Sequence, residues 1–156
     1  KLLTVVNNTL EIEKALAARK EIHLSYHIDE HITVVADANM LQLVTRNIVN
    51  NAIKFTPQGG SIDIRTDVAG GESRIIVADN GKGIETDRQA ILFSMESGST
   101  FGTNNEKGVG LGLPLCKEFM ERQGGYIDFE STPGKGSTFY IFIPLAAKLT
   151  PLSKSL

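Results

Sequence analysis

The chain has one cysteine, Cys116, so it can form no internal disulfide, and so few thiols fit a reducing compartment. No apolar run approaches the roughly 18 residues of a membrane span, and the opening residues do not read as a signal peptide. Net charge is also scarce. The balance of 16 Lys and Arg against 18 Asp and Glu leaves −2, which gives no electrostatic basis for a nucleic-acid partner or for direct membrane contact. What remains is 156 residues, 41% hydrophobic and 22% charged. That is the profile of one globular domain able to bury roughly two thirds of its unfolded surface. The chain begins at Lys1 rather than Met, which fits a piece of a longer protein and leaves the parent's relation to a membrane open.

The pattern along the chain predicts an alternation of helices and strands. Residues 5–19 carry apolar side chains at helical intervals. "IHLSYHID" alternates strictly, with Ile22, Leu24, Tyr26 and Ile28 on one face of a half-buried strand. His23 and His27 fall on the other face about 13 Å apart, too far to share a metal ion, and read as solvent-facing. Residues 38–55 form a strong amphipathic helix that stops before Pro57 and Gly59-Gly60. "SIDIRTDV" and "SRIIVAD" make a hairpin around Gly70-Gly71, and 84–92 a short helix. The segment 93–107 has no sustained period and is rich in Ser, Thr, Asn and Gly, as a functional lid or a disordered loop would be. A helix from 110 to about 123 is expected to bury Leu111, Leu115 and Phe119, and to end at Gly124-Gly125. "YIDFES" and "TFYIFIP" close the domain as a hairpin, and 148–156 reads as a tail or linker. The sum is an α+β fold, a mixed sheet covered on one face by helices.

Three stretches carry chemistry. On the helix 38–55, Asn47, Asn51 and Lys54 form a stripe beside the apolar face of Leu41, Val44, Ile48 and Ala52. The stripe reads either as a solvated polar face or as a site where Asn51 gives an amide oxygen to Mg²⁺ and Lys54 meets phosphates. In "VADNGKGI" a strand delivers Asp79 into a turn with Gly81 and Gly83. It is either an ordinary Asn-Gly turn or a carboxylate that accepts a hydrogen bond from an exocyclic amine while a flat ring lies on the backbone. "GVGLGL", at 108–113, fits neither the Walker loop nor the dinucleotide fingerprint. Its glycines make either a hinge or a helix start that closes on polyphosphate.

Order and spacing join them: Asn51 precedes Asp79 by 28 residues, and Asp79 precedes Gly108 by 29. In this arrangement the chain resembles the catalytic, ATP-binding domain of a sensor histidine kinase, in the ATPase superfamily that also holds gyrase B, Hsp90 and MutL. "NIVNNAIKF" is similar to the family's N box, "DNGKGI" to its G1 box, the region of Phe93 to its F box, "GVGLGL" to its G2 box and "TPGKGSTFYIFIP" to its closing hairpin. The resemblance implies the Bergerat ATP-binding fold. This is a two-layer α/β sandwich with a mixed, mostly antiparallel sheet, three helices on one face and an ATP lid at about 92–108, the domain spanning 1–147.

The resemblance also implies roles. Asn51 would hold Mg²⁺, Lys54 would touch phosphate, Phe55 would stack on adenine and Asp79 would read its amino group. Gly81, Gly83, Gly108, Gly110 and Gly112 would shape the pocket, with Ile84, Leu111, Leu113 and Thr138 completing the nucleotide contacts. Lys107 would steady the γ-phosphate. Asn47 stands where ATP-hydrolysing members place a glutamate base, and an amide cannot act as that base, which supports transfer over hydrolysis. The F-box stretch "ILFSMESGSTFG" departs from the family form and leaves the roles of Phe93 and Phe101 open. The family's phospho-accepting histidine lies in an upstream dimerisation domain, and none of His23, His27 and His31 has its sequence context. The implied partners are therefore that dimerisation and phosphotransfer domain and a response regulator's receiver domain. The implied place is the cytoplasm, with anchoring of the parent in the inner membrane open. An anti-sigma-factor serine kinase is the alternative within the superfamily. A nucleotide-responsive interaction module without phosphotransfer is the alternative outside catalysis.

Overall fold

The computed structural model describes residues 1–94 and 112–146. The expected lid, with Lys107, Gly108, Gly110, Leu111 and Phe101, falls largely outside them, as does the tail. The elements run α1 (Leu2–Arg19), β1 (His23–His27), α2 (Ala38–Phe55), β2 (Ser61–Ala69), β3 (Glu72–Asp79), α3 (Thr86–Gln89), α4 (Gly112–Arg122), β4 (Tyr126–Thr132) and β5 (Gly136–Pro144). The five strands form one sheet in the order β1-β2-β3-β5-β4. β1 and β2 are parallel, joined through α2, and the other neighbours are antiparallel.

Strand alternation sorts the sheet into two faces. Ile62, Ile64, Ile75, Val77, Phe139, Ile141 and Ile143 are buried with Leu2, Val6 and Leu10 of α1, Leu41, Val44 and Ile48 of α2, and Cys116 and Met120 of α4. The other face carries Arg74, whose guanidinium donates to both carboxylate oxygens of Asp67 and lies over the Tyr140 and Phe142 rings. Tyr126 stacks on Phe142 with centroids 4.1 Å apart. The expected two-layer architecture is the observed one, with α1, α2 and α4 as the three long helices.

α2 forms where the apolar spacing demands it. The Asp37 side chain caps its start by accepting from the Met40 N–H at 3.0 Å, and Thr56, extended ahead of Pro57, ends it. Other expectations need correcting. α1 starts at Leu2 rather than residue 5, and the short helix near 84–92 is only the single turn α3. Tyr26 lies in register beside Ile64, yet β1 is an edge strand and leaves it 40% exposed. There Lys14 Nζ covers its ring and donates to its hydroxyl at 2.8 Å. On α4 the core face is Cys116 and Met120, while Leu115 is 43% exposed. One position of helix rotation is 100°, enough to swing Leu115 off the core when its neighbour Cys116 occupies it.

Candidate functional site

The last turn of α2 meets the loop that follows β3. At the helix end the chain turns extended at Thr56, so no glycine cap closes the final carbonyls. They are met from outside the helix. The Thr56 hydroxyl donates to Ala52 O at 2.6 Å, and the Thr56 N–H donates to Ile53 O. Lys20 Nζ donates to Ile53 O at 2.9 Å and to Lys54 O at 3.1 Å. The Lys82 N–H donates to Phe55 O at 3.1 Å. A side chain at Gly81 would put its Cβ 2.2 Å from Phe55 O, so the close approach requires glycine there. Asn51 is half-buried and Lys54 buried on this helix. The Phe55 ring has Lys54 Nζ 4.7 Å and Lys82 Nζ 4.8 Å from its centroid.

Asp79 ends β3 beside this junction. Its Oδ1 accepts from the Gly81 N–H at 2.9 Å and the Ser137 N–H at 3.3 Å, which holds that oxygen in place. Burial pushes its pKa above the usual carboxylate range, and the two backbone donors offset part of that rise. Gly83, at φ +72°, packs backbone to backbone, because a Cβ would lie 2.2 Å from Thr132 O. Close backbone packing thus already demands glycine at 81 and 83. Ile84 is half-buried against the core, and its N–H donates to Ser131 Oγ at 2.8 Å.

Not every expected residue joins this cluster. Thr138 pairs with Ala78, one register step from the Asp79–Ser137 pair, so its side chain lies on the opposite face of the sheet from Asp79. Ser137 is the residue that shares the Asp79 face. It is buried, and its hydroxyl lies 2.8 Å from Ser131 Oγ. The signal for it was in the strand itself: Phe139, Ile141 and Ile143 face the core, and period two carries that face back to 137. Asn47 turns toward α4, where its Nδ2 donates to Cys116 Sγ at 3.6 Å. With that contact only partly offsetting burial, the thiol is pushed up to about 11. Leu113 packs partly buried against the core, and no described atom comes within 4 Å of a Cβ built on Gly112. Phe93 is a core anchor, in ring contact with Phe129 at 5.8 Å and Phe139 at 6.5 Å.

Residues 36–147 match the family model of the histidine kinase-, DNA gyrase B- and HSP90-like ATPases. The chain is 35% identical to the circadian input-output histidine kinase CikA of Synechococcus elongatus, over 97% of its own length and 20% of that protein. It is 32% identical to the sensor histidine kinase ZraS of Escherichia coli, over 92% of its length and 30% of that relative. It therefore spans well under half of these curated relatives. Among solved structures, the catalytic domain of histidine kinase ThkA superposes with a TM-score of 0.78 at 26% identity, covering 92% of this chain and 93% of that one. Full-length ShkA in complex with AMPPNP also gives 0.78 at 26% identity, covering 94% of this chain and 30% of that one. With the matched span exceeding half the sequence and the described fold agreeing with both structures, the chain belongs to the histidine kinase-, DNA gyrase B- and HSP90-like ATPase family, and its likeness within it is to sensor histidine kinase catalytic domains.

Proposed function

We propose that the chain binds Mg-ATP and passes its γ-phosphoryl group to a histidine on a separate dimerisation and phosphotransfer domain. The observation that carries this reading is Asp79, a half-buried carboxylate held by two backbone donors where β3 meets the end of α2. A carboxylate so fixed accepts from the amino group of adenine and faces the carbonyl of guanine unfavourably, so the pocket selects ATP over GTP. Phe55 offers its ring to the base, while Lys54 attracts the phosphates. That relative ShkA was solved with AMPPNP supports a nucleotide as the ligand class.

Among the described residues no three His, Cys, Asp or Glu side chains converge on a metal position. The Asn51 amide oxygen suits a hard cation that takes its other ligands from phosphate and water, so the donor set fits Mg²⁺. When bound, Mg²⁺ neutralises phosphate charge; the protein's own part is to hold and orient the nucleotide. In the transfer an imidazole nitrogen of the acceptor bonds to the γ-phosphorus as the bond to the ADP oxygen breaks. Asn47 provides no base to activate water, which favours transfer over hydrolysis. His23, His27 and His31 are exposed and distant in character from such an acceptor, which belongs on another domain of the parent. The phosphoryl group then passes to an aspartate of a response regulator, in the cytoplasm.

Calorimetric titration with ATP and GTP, with and without Mg²⁺, tests the pocket on wild type and Asp79→Asn. Binding of ATP assisted by Mg²⁺, no binding of GTP, and loss in the variant are expected. A folded wild-type chain that binds no nucleotide would sink the proposal. Labelled ATP added with a histidine-bearing dimerisation domain then tests the transfer itself, and label remaining wholly in ATP would refute that step.

A further inference from the structure

We infer that Lys20, outside every motif of the proposed pocket, is a positioning residue for it. Its buried ammonium clamps the last turn of α2, from which Lys54 and Phe55 project. The inference rests on the ATP-binding reading above.

Lys20 is only 9% exposed, an unusual place for a lysine, and its Nζ donates to Ile53 O and Lys54 O. Those carbonyls belong to the final turn of α2, where the helix dipole concentrates negative charge and where the extended Thr56 forgoes a glycine cap. The cation therefore meets two carbonyls of that turn and the dipole at once, from a helix 33 residues earlier in the chain. Its own direction is also fixed. Lys20 is the C-cap of α1, followed by Glu21 at φ +60°. The Glu21 N–H donates to Ala18 O and the Ile22 N–H to Ala17 O at 2.8 Å, the paired pattern of a Schellman ending. The end of α1 is thus locked, and it locks the end of α2. On its other side the same turn is held by the Lys82 N–H on Phe55 O. Lys20 and the Asp79 loop together set where Lys54 and Phe55 stand relative to Asp79. Without the Lys20 ammonium these two carbonyls lose a charged donor, which loosens the turn that carries Lys54.

The test is a double-mutant cycle on this chain, read as the ratio of adenosine to ATP dissociation constants, which isolates the phosphate part of binding. Lys20→Met is expected to lower that ratio about tenfold, as Lys54→Met does, and the double variant to lose no more than about twofold beyond either. Circular dichroism establishes that each variant is folded. If Lys20→Met is not, Lys20→Gln, neutral and still a donor, carries the same cycle. A fall in melting temperature with an unchanged ratio overturns the inference, since Lys20 is then structural only, and so do losses that multiply, since Lys20 then acts independently of Lys54. A wild-type chain that binds neither ATP nor adenosine removes the pocket and this inference together. Wild-type binding with an unaffected Lys20 variant removes only the inference.

Discussion

Two carboxyl groups whose pKa values burial raises show how the same chemical group can serve recognition or merely burden the fold. Asp79 has its pKa raised by burial and partly restored by the Gly81 and Ser137 N–H groups. Its folded pKa lies above the unfolded one, so the folded state holds the proton more readily. Its effect on stability is therefore most favourable at low pH and declines as pH rises through the folded value. Binding runs the other way, because Oδ1 is taken by the Gly81 and Ser137 N–H groups and the ionised Oδ2 accepts from the adenine amine, whereas a protonated one would turn a donor toward it. ATP affinity should thus fall on acidification from a higher pH than an ordinary aspartate would show; calorimetry between pH 4 and 8 checks this, and a flat profile there would contradict it. Asp79→Asn keeps an acceptor at Oδ1 but turns the other atom into a donor. ATP affinity should drop by roughly ten- to a hundredfold, as expected for a hydrogen bond to a charged group worth about 1.5–3 kcal/mol, while the melting temperature at pH 8 rises. Glu13 has no such use in the proposed site. It is 1% exposed, its Oε2 lacks a hydrogen-bond partner among the described residues, and desolvation raises its pKa against the weaker pulls of a hydrogen bond from its own backbone N–H and of Arg46. By the same sign its contribution worsens as pH rises above the unfolded value. Glu13→Met, of similar volume, should stabilise the chain by about 1–3 kcal/mol at pH 8 and flatten the pH dependence, read from denaturant midpoints. A lower midpoint would mean the carboxylate has a partner that matters.

At the level of elements, the junction of α1 with β1 carries strain that can be relieved. Glu21 takes the left-handed conformation that ends α1, a position where glycine avoids the Cβ clash. Its side chain accepts from Gln58 Nε2, both exposed, so little is lost by removing it. Glu21→Gly should raise stability by about 0.5–1 kcal/mol with nucleotide affinity unchanged; a drop in the thermal midpoint would show that the Gln58 contact outweighs the strain. The same scale shows what the sequence could reveal. α2 was legible to the residue because its apolar period, Asp37 cap and Pro57 stop agree, and the two hairpins because period two flanks clear turns. The buried face of α4 was not, since Leu115 and Cys116 are adjacent and packing against α2 chose the smaller one. Ser137 was legible by parity from Phe139, since period two puts it on the core face that Asp79 shares and Thr138 on the other. Lys20 was not legible at all: nothing local tells a lysine at one helix end that another helix's carbonyls lie 2.9 and 3.1 Å away.

For the whole molecule, the family match begins at residue 36, yet the core does not. α1 contributes Leu2, Val5, Val6, Leu10 and Ala17 to the same cluster as the inner face of the sheet, and Leu2 N–H bonds to Ile32 O. β1 pairs along its length with β2 and gives the sheet its only parallel ladder among the described residues. Removing residues 1–35 would therefore expose one face of α2, uncover an edge of β2 and delete the Lys20 clamp. Burial of each large aliphatic side chain contributes about 1.5–3 kcal/mol, so the four from α1 alone approach the roughly 5–15 kcal/mol by which a domain of this size is stable. The prediction is that a fragment of residues 36–156 shows no cooperative unfolding transition, by calorimetry or by circular dichroism, and does not bind ATP, whereas the full chain melts as one unit. A fragment that melts cooperatively within a few degrees of the full chain would show that α1 and β1 are an appendage. The functional domain would then be smaller than its hydrophobic core implies.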